Sequence, residues 1–193
     1  MKRKPMLMNS KLTGICGMAA PLVLVGSILL AIWVSPWFSF TENALSDLGA
    51  HERSGPIFNS GLMLAGVLLA GFGLGLIGLL REIAGRAAGT LMLADGVALF
   101  GIGLFPETAG RIHFYFSVAF FVLFPLFSLA LAVHFLRRKS RVLALVALAV
   151  AVVAGAPWAF EWSGLAVPES ISGGAASVWI MVLSVLSYRK KMP

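Results

Sequence analysis

Six long apolar runs, separated by short polar segments, dominate the pattern of hydrophobic and polar positions along this chain. The runs cover roughly residues 12–34, 57–80, 87–105, 114–136, 142–160 and 171–187. A helix that crosses a hydrocarbon core about 30 Å thick needs about 20 apolar residues. Each run is long enough, so the pattern predicts six transmembrane helices, numbered one to six in this section, and an all-α integral membrane protein.

The segments between the runs are short, which favours an up-and-down bundle of helices that pack against their sequence neighbours. No stretch is long enough for a soluble domain, so we expect residues 1–193 to form a single six-helix transmembrane domain. The composition agrees, because 59% of the residues are hydrophobic and only 12% are charged. A soluble domain has about 25% charged residues.

The Lys and Arg residues lie almost entirely in alternate segments. Of 15 such residues only Arg53 and Arg111 lie elsewhere, and the others include the basic positions 2–4 and the cluster at 137–141. Basic segments stay on the cytoplasmic side, so we predict a multi-pass protein of the cell membrane with both termini cytoplasmic. The net charge of +7 is then a topology signal that favours contact with anionic membrane lipids and not with nucleic acid.

The other three connecting segments, 35–56, 106–113 and 161–170, are acidic. They hold six of the eight Asp and Glu residues and, with Arg53 and Arg111, have a net charge of −4. Acidic residues contribute little to the orientation of a membrane protein, so topology does not account for them. We therefore expect any chemistry to occur at this face, which is predicted to be extracytoplasmic.

The first acidic segment has its own structure signal. Ser39 and Glu42 have the spacing of a capping box, and Gly49 is suited to end a helix. We therefore predict a short helix over residues 40–48 that lies at the membrane interface. Glu42 then has two interpretations, as the capping acid or as a ligand-binding residue.

Three candidate site residues belong to this short helix and its end. Asn43 and Asp47 are four residues apart, which places them on one helical face, and His51 follows shortly after. An amide, an acid and an imidazole close together could orient a water molecule, bind a polar headgroup or contribute to a metal site. The alternative is an ordinary polar surface loop.

The second and third acidic segments repeat one another. In each, a Gly-Leu pair precedes a Pro-Glu pair, which ends at Glu107 in one and at Glu169 in the other. Because proline fixes the backbone ahead of each acid, both carboxylates are expected to point toward a shared pocket, where with Asp47 they are candidate catalytic groups. The alternative is that Pro-Glu only begins a helix, with the acid at the positive end of the helix dipole.

His113, at the start of helix four, is the main candidate for proton transfer. An imidazole ionises near neutral pH, Glu107 is close in sequence, and Ser117 lies one turn further along the same helical face. We predict His113 as a general base or metal ligand, with Ser117 as a ligand-binding residue. The alternative is a polar anchor at the membrane boundary, which is also the favoured interpretation of His134 at the other end of this helix.

Asp95 lies near the middle of helix three. A charged group there costs at least about 2.5–3.5 kcal/mol. We therefore expect its side chain to face the bundle interior and either to take a proton or to bond to Ser or Thr groups on neighbouring helices. Asp95 is a candidate ligand-binding residue, and the alternative is an acid that only holds helices together.

Small residues and prolines are expected to shape the helices. Glycines recur along helices two and three and open helix six, where they should let helix backbones approach closely; they include Gly73, Gly89, Gly96, Gly103 and Gly173. Prolines should kink helices one, four and five, at Pro21, Pro125 and Pro157 respectively.

The whole chain resembles the six-helix prokaryotic membrane proteins known as domain of unknown function 998. The resemblance rests on the stretch 35–49, which contains Ser-Asp-Leu-Gly, on 103–107 with His113, and on 164–169. It implies the six-helix fold and no particular reaction.

Three functions fit these observations. The first is a lipid-directed membrane enzyme acting at the outer interface, with His113, Glu107, Asp47 and Glu169 as its catalytic residues. The second is a binding or transport protein for a small solute, cation or lipid that uses Asp95. The third is a structural subunit, either in a homo-oligomer or in a larger membrane complex. The sequence identifies no cofactor and leaves metal dependence open, since it contains neither a phosphate-binding loop nor a zinc-protease motif.

Overall fold

The computed structural model describes residues 8–193, which form helices and turns and no strand. Seven α-helices follow one another: α1 (Ser10–Trp33), α2 (Asp47–Ala50), α3 (Gly55–Leu79), α4 (Ile83–Leu104), α5 (Arg111–Arg137), α6 (Arg141–Gly155) and α7 (Ala166–Tyr188). All except α2 are long and apolar enough to cross a membrane, when α6 is counted with the turn that extends it to Ala159. The prediction of six helices of membrane-spanning length is confirmed. The basic positions 2–4 lie outside the described residues.

The observed helix limits differ from the predicted ones mainly at the starts. α4 begins at Ile83 and α7 begins at Ala166, about one turn earlier than the apolar runs. The first turns of both helices contain a charged residue, Arg86 and Glu169, which the hydrophobic pattern assigned to the loops. A charged side chain at a helix end can extend toward the polar boundary, so the helix continues beyond the apolar run.

α6 ends differently from the prediction for helix five. The α-helix stops at Gly155 and continues as one 3-10 turn, Ala156–Ala159. Pro157 therefore lies in this closing turn, where its missing amide hydrogen does least harm, and the predicted kink inside a helix is wrong at this position. Pro21 and Pro125 do lie inside α1 and α5.

The six long helices form a closed ring of antiparallel neighbours. The order around the ring is α1, α3, α4, α5, α6 and α7, and α7 packs back against α1. The three acidic segments therefore lie at one end of the bundle, which we term the acidic end. The opposite end, with the turns 80–82 and 138–140, is termed the basic end.

α3 and α4 make the closest helix contact. On α4, glycines recur every seven residues, and a methyl group on Gly89, Gly96 or Gly103 would lie within 2.7 Å of a backbone atom of α3. A side chain at these positions would push the two backbones apart, so glycine permits the approach. The prediction of glycine-mediated packing is confirmed for this helix pair.

Most of the large side chains that are fully buried lie in the half of the bundle nearest the basic end, and Leu48 and Leu99 are exceptions near the acidic end. Those nearest the basic end include Phe72, Leu76, Phe127, Phe135, Trp179 and Leu183. Each lies in the half of its helix that is nearer the basic end. The interior of the other half is less completely filled, and this difference positions the candidate site.

The first acidic segment does not contain the predicted helix over residues 40–48. Residues 40–42 and 45–46 form turns, and the helix in this segment is the four-residue α2, Asp47–Ala50. The Ser39 hydroxyl lies 3.0 Å from the Thr41 hydroxyl, and the Ser39 amide donates to Asn43 Oδ1 at 3.0 Å. The capping box is thus replaced by a turn that side-chain hydrogen bonds stabilise. Such a turn is a common alternative to a helix start for these residue types.

α2 is attached to the start of α3. The Asn59 side-chain amide donates to the Gly49 carbonyl oxygen at 2.9 Å, and the Ser54 hydroxyl donates to the Leu48 carbonyl oxygen at 2.7 Å. Gly49, predicted to end a helix, instead lies inside α2.

His134 is buried at the basic end, where it joins three parts of the chain. Its Nδ1 lies 3.4 Å from Glu82 Oε2, and its Nε2 lies 3.1 Å from the carbonyl oxygen of Pro193. Arg138 lies 4.0 Å from the other Glu82 oxygen. These contacts give His134 an anchoring position at the end of α5, next to the basic turn.

Candidate functional site

The three acidic segments come together at the acidic end. The backbone amide of Leu45 donates to Glu169 Oε2 at 2.6 Å, and that of Ala166 donates to the Asn43 carbonyl oxygen at 2.8 Å. Gly164 permits this approach, because a methyl group there would lie 2.7 Å from backbone atoms of Asn43. The first acidic segment is therefore held directly against the start of α7.

Asp47 is oriented by its own segment. Its Oδ2 accepts hydrogen bonds from Asn43 Nδ2 at 3.0 Å and from the amide of Ala44 at 2.9 Å. The pairing of Asn43 with Asp47, expected from helical spacing, is present, although a turn and not a helix creates it. Asn43 supports the carboxylate, and its predicted ligand-binding role stays a prediction.

Asp47, Glu107 and Glu169 form a group that we term the carboxylate cluster. Glu107 is adjacent to Asp47 and to the Ser46 hydroxyl, and both Glu107 and Asp47 are near enough to act electrostatically on Glu169. One acid thus comes from each acidic segment. The structure brings together three of the four residues predicted to be catalytic, and the repeated Pro-Glu pairs deliver their acids to one place.

The carboxyl group of Glu107 holds its proton more strongly than an isolated glutamate does. Partial burial raises its pKa above the ordinary value of 4.5, and a hydrogen bond to Asp47 together with the charge of Asp47 raises it further. The Ser46 hydroxyl acts in the opposite direction. A proton shared within a pair of acids is the arrangement that favours acid–base chemistry.

Replacing Glu107 with glutamine is expected to weaken the pH dependence of stability. A raised pKa in the folded state means that the contribution of Glu107 to the free energy of unfolding is fully present below pH 4.5. It is lost as the pH rises through the folded pKa. Melting temperatures of the parent should therefore fall over this window, and those of the Glu107→Gln variant should fall less.

The matched control is Glu161→Gln, which removes an exposed acid from the same end of the bundle. Its pH profile should follow that of the parent. An equal slope in the Glu107→Gln variant would contradict the role given to the Glu107 proton.

An apolar cavity of about 330 Å³ lies beside the carboxylate cluster, and we term it the lateral cavity. Its volume is within the range of about 300–1,000 Å³ that is usual for small-molecule sites. Glu169, Ser46 and Ser117 contribute polar groups to its wall. The rest is mostly aliphatic and aromatic and includes Leu24, Ile28, Phe58, Leu62, Leu99, Ile102, Phe120 and Phe121.

The lateral cavity opens between α1 and α7, because these helices diverge. Near the basic end they touch, since a methyl group on Gly14 would lie 2.6 Å from Tyr188 Cβ. Near the acidic end Gly173 and Gly174 line the cavity, and no other part of the described chain comes within 4 Å of a methyl group placed on either residue. The predicted role of Gly173 in close helix packing is therefore wrong, and this part of α7 faces open space.

Asp95 lies below the lateral cavity, near the middle of α4. Its side chain is 0% exposed, and neither carboxyl oxygen has a hydrogen-bond partner among residues 8–193. It lines a void of about 10 Å³ whose wall includes Leu24, Phe120 and Ser177, and these three residues also line the lateral cavity. Asp95 faces the bundle interior as expected, and the alternative of a bond to a Ser or Thr hydroxyl is not realised.

His113 has a different environment from the carboxylate cluster. It is buried, and its Nδ1 lies 2.8 Å from the carbonyl oxygen of Phe105, the residue that follows α4. With Nδ1–H donating to this carbonyl, the imidazole closes the loop between α4 and α5. His113 is not among the groups that act on the acids of the cluster, so its position supports a structural role better than the predicted base or metal ligand.

The remaining predicted site residues fall into two groups. Ser117 lines the lateral cavity, and its predicted ligand-binding role stays a prediction. Glu42 is exposed, and His51 is exposed and stacks on Trp37 with ring centroids 4.8 Å apart. Within residues 8–193, no three His, Cys, Asp or Glu side chains are placed to hold a metal ion together.

Three parts of the site could not be predicted from the sequence pattern: the Ser46 hydroxyl, the Leu45 amide and the cavity. The Ser46 hydroxyl and the Leu45 amide contact the cluster through tertiary approach, for which a single sequence carries no signal. Gly173 and Gly174 were visible in the sequence, but glycines that allow close packing and glycines that line open space have the same signature. The cavity therefore becomes apparent only in the folded chain.

The chain is thus a multi-pass helical membrane protein, with six helices of membrane-spanning length. At the acidic end of the bundle, an apolar cavity adjoins the carboxylate cluster through Glu169. The chain belongs to the family described as protein of unknown function DUF998, whose model matches residues 18–186. The resemblance noted in the sequence is thereby confirmed. No curated protein and no solved structure matches the chain.

Proposed function

We propose that this protein binds a membrane amphiphile, with the apolar chain in the lateral cavity and the headgroup at the carboxylate cluster. The observation that carries the proposal is that Glu169 belongs to both places: it lines the cavity, and it interacts with Asp47 and Glu107. A ligand that fills the cavity would therefore present its polar end to the cluster.

The wall of the cavity supports an apolar occupant. Apart from a few hydroxyl groups and Glu169, its lining residues are Leu, Ile, Val, Phe and Gly. Burying apolar surface is favourable by about 25 cal/mol for each Å², whereas a polar solute would lose its hydration in such a space. The opening between α1 and α7 faces the membrane, which is the source of long-chain molecules.

The charge of the cluster supports an amine-bearing headgroup. The groups that act on Glu107 and Glu169 are other acids, the Ser46 hydroxyl and the Leu45 amide, with no Lys or Arg among them. A site that contains several acids repels an anion and attracts a cation. A phosphate or sulfate headgroup is therefore disfavoured at this position.

The basic end is proposed to be cytoplasmic and the acidic end extracytoplasmic, on the grounds of the positive-inside rule. Cys16 is the single cysteine, so a Cys16→Ser background allows one reporter cysteine at a time. In intact cells a membrane-impermeant thiol reagent should label Thr41→Cys at the acidic end and should not label Lys139→Cys at the basic end. Labelling in the reverse pattern would invert the proposed orientation.

The test of amphiphile binding uses three probes that share one chain: hexadecylamine, hexadecanol and hexadecyl sulfate. With the purified protein in nanodiscs of zwitterionic lipid, saturable binding counted by native mass spectrometry should rank amine, alcohol and sulfate in that order. We expect about a tenfold preference for the amine over the sulfate, as one charge-assisted contact provides.

The paired substitution Asp47→Asn with Glu107→Gln leaves Glu169 as the one acid of the cluster, so it should reduce the preference for the amine and retain binding of hexadecanol. The Glu161→Gln variant is the control for a general loss of negative charge at the acidic end. Equal affinity of the parent for all three probes would contradict the headgroup assignment, and absence of saturable binding of any probe would contradict the proposed function.

The proton held by Glu107 favours a second candidate function, acid–base catalysis on the bound headgroup. In this function Glu107 is the general acid, Asp47 is the base, and His113 has no direct part. Native lipids incubated with the parent and with the Glu107→Gln variant, and compared by mass spectrometry, would reveal a product that forms only with the parent. Identical lipid profiles would leave binding as the function.

A further inference from the structure

Asp95 presents hydrogen-bonding capacity that the protein itself does not use. The carboxyl group is fully buried, and both of its oxygens lack a partner within residues 8–193. Leaving a buried polar group unpaired is unfavourable, and such groups are rare in folded proteins. A bound group that completes these hydrogen bonds would recover this cost.

The void beside Asp95 adjoins the lateral cavity and not the basic end. Leu24, Phe120 and Ser177 line both spaces, so the Ser177 hydroxyl is available to each. Toward the basic end the interior is closed by fully buried side chains, including Phe72, Phe127 and Trp179. The void at Asp95 is therefore separated from the lateral cavity only by side chains that line both spaces, whereas fully buried side chains pack beyond it.

The distance from the carboxylate cluster to Asp95 and Ser177 restricts the structure of the ligand. Glu169 and Ser177 both belong to α7 and are eight residues apart, which corresponds to about 12 Å along the helix axis. A chain that runs from the carboxylate cluster down the cavity would thus reach Asp95 and Ser177 in its middle or lower part. An unsubstituted alkyl chain would leave the Asp95 oxygens unpaired.

We infer that Asp95 and Ser177 form a second polar site, which binds a hydroxyl or similar hydrogen-bonding group carried within the apolar part of the amphiphile. This inference rests on the proposed function, because it requires a chain in the lateral cavity. The inference narrows the ligand class to an amine-bearing amphiphile with a polar group inside its chain. This group would lie about 12 Å from the headgroup, because the helix rises about 1.5 Å per residue.

The test compares hexadecylamine with a hexadecylamine that carries one hydroxyl group near the middle of its chain. The parent protein should bind the hydroxylated amine about tenfold more tightly, the upper range for one net hydrogen bond. This comparison needs no variant and so does not depend on the folding of an altered protein. Equal affinities would overturn the inference while leaving the proposed function in place, whereas failure of both amines to bind saturably would overturn both.

The variants Asp95→Leu and Ser177→Ala locate the preference. Asp95→Leu should abolish it, because the carboxyl group that pairs with the in-chain hydroxyl is gone. Ser177→Ala should reduce the preference by several-fold. Ser184→Ala is the matched control, since Ser184 belongs to the same helix and lines neither the cavity nor the void. An undiminished preference in a folded Asp95→Leu variant would overturn the inference.

Discussion

Replacing Gly173 with tryptophan is expected to weaken binding of hexadecylamine at least about tenfold while the helices stay assembled. Gly173 lines the lateral cavity, and no neighbouring part of the described chain comes within 4 Å of a methyl group at this position. The indole can therefore occupy the cavity without displacing another helix. It takes the space that the apolar chain of the ligand needs, so binding should fall and stability should not.

The matched control is Gly26→Trp. Gly26 and Gly173 are each seven residues from the acidic end of their helices, α1 and α7. Gly26 is likewise surrounded by open space, but it is not a lining residue of the cavity. The control should bind hexadecylamine as the parent does, and both variants should melt near the parent temperature. Unchanged affinity in a folded Gly173→Trp variant would show that the ligand binds elsewhere.

Replacing Gly96 with leucine is expected to produce the largest loss of stability of any substitution considered for this chain. A methyl group at Gly96 would already lie 2.7 Å from the carbonyl oxygen of Gly66 on α3. That neighbour is backbone inside a helix and cannot rotate away, so the whole helix must move. Overpacking costs about 1–3 kcal/mol and occasionally more, and we expect at least about 3 kcal/mol here.

The measurement is the free energy of unfolding in detergent micelles, followed by loss of helical circular dichroism. Gly26→Leu serves as the control, because leucine there meets no neighbour and is a better helix former than glycine by up to about 1 kcal/mol. If the two variants had equal stability, the close contact of α3 and α4 would not contribute as inferred.

The positions of the helices could be predicted from the sequence, because membrane burial imposes a simple rule on each segment separately. All six long helices correspond to the apolar runs, and the ring order follows from short connections between neighbours. The first and last residues of the helices were less predictable. Arg86 and Glu169 are charged residues inside first turns, and a hydropathy pattern ends a helix where charge begins.

The carboxylate cluster could be predicted in part. The Pro-Glu repeat placed Glu107 and Glu169 at the same boundary, and the topology placed Asp47 at the same end. What the sequence could not give was the non-helical course of residues 40–46, in which Asn43 competes successfully with helix formation. The surroundings of His113 were not predictable, because its partner is a backbone carbonyl, that of Phe105, and every residue carries such a group.

The lateral cavity was not predictable, since it depends on how the first and last long helices meet. α1 and α7 touch at Gly14 and diverge toward Gly173, and the angle between them follows from the packing of all the other helices. No periodicity within either helix encodes such an angle. The surroundings of Asp95 were not predictable for the same reason. The neighbours of an interior acid are determined only when the ring of helices closes.

The divergence of α1 and α7 in only one half of the bundle also restricts where the occupant can come from. An opening that reaches from the acidic end to mid-membrane is in contact with a single leaflet, while the closed half seals the protein from the other. In the proposed function, exchange of the amphiphile would then sample the composition of one leaflet alone. A lipid confined to the opposite leaflet would have to cross the bilayer by another route before this protein could take it up.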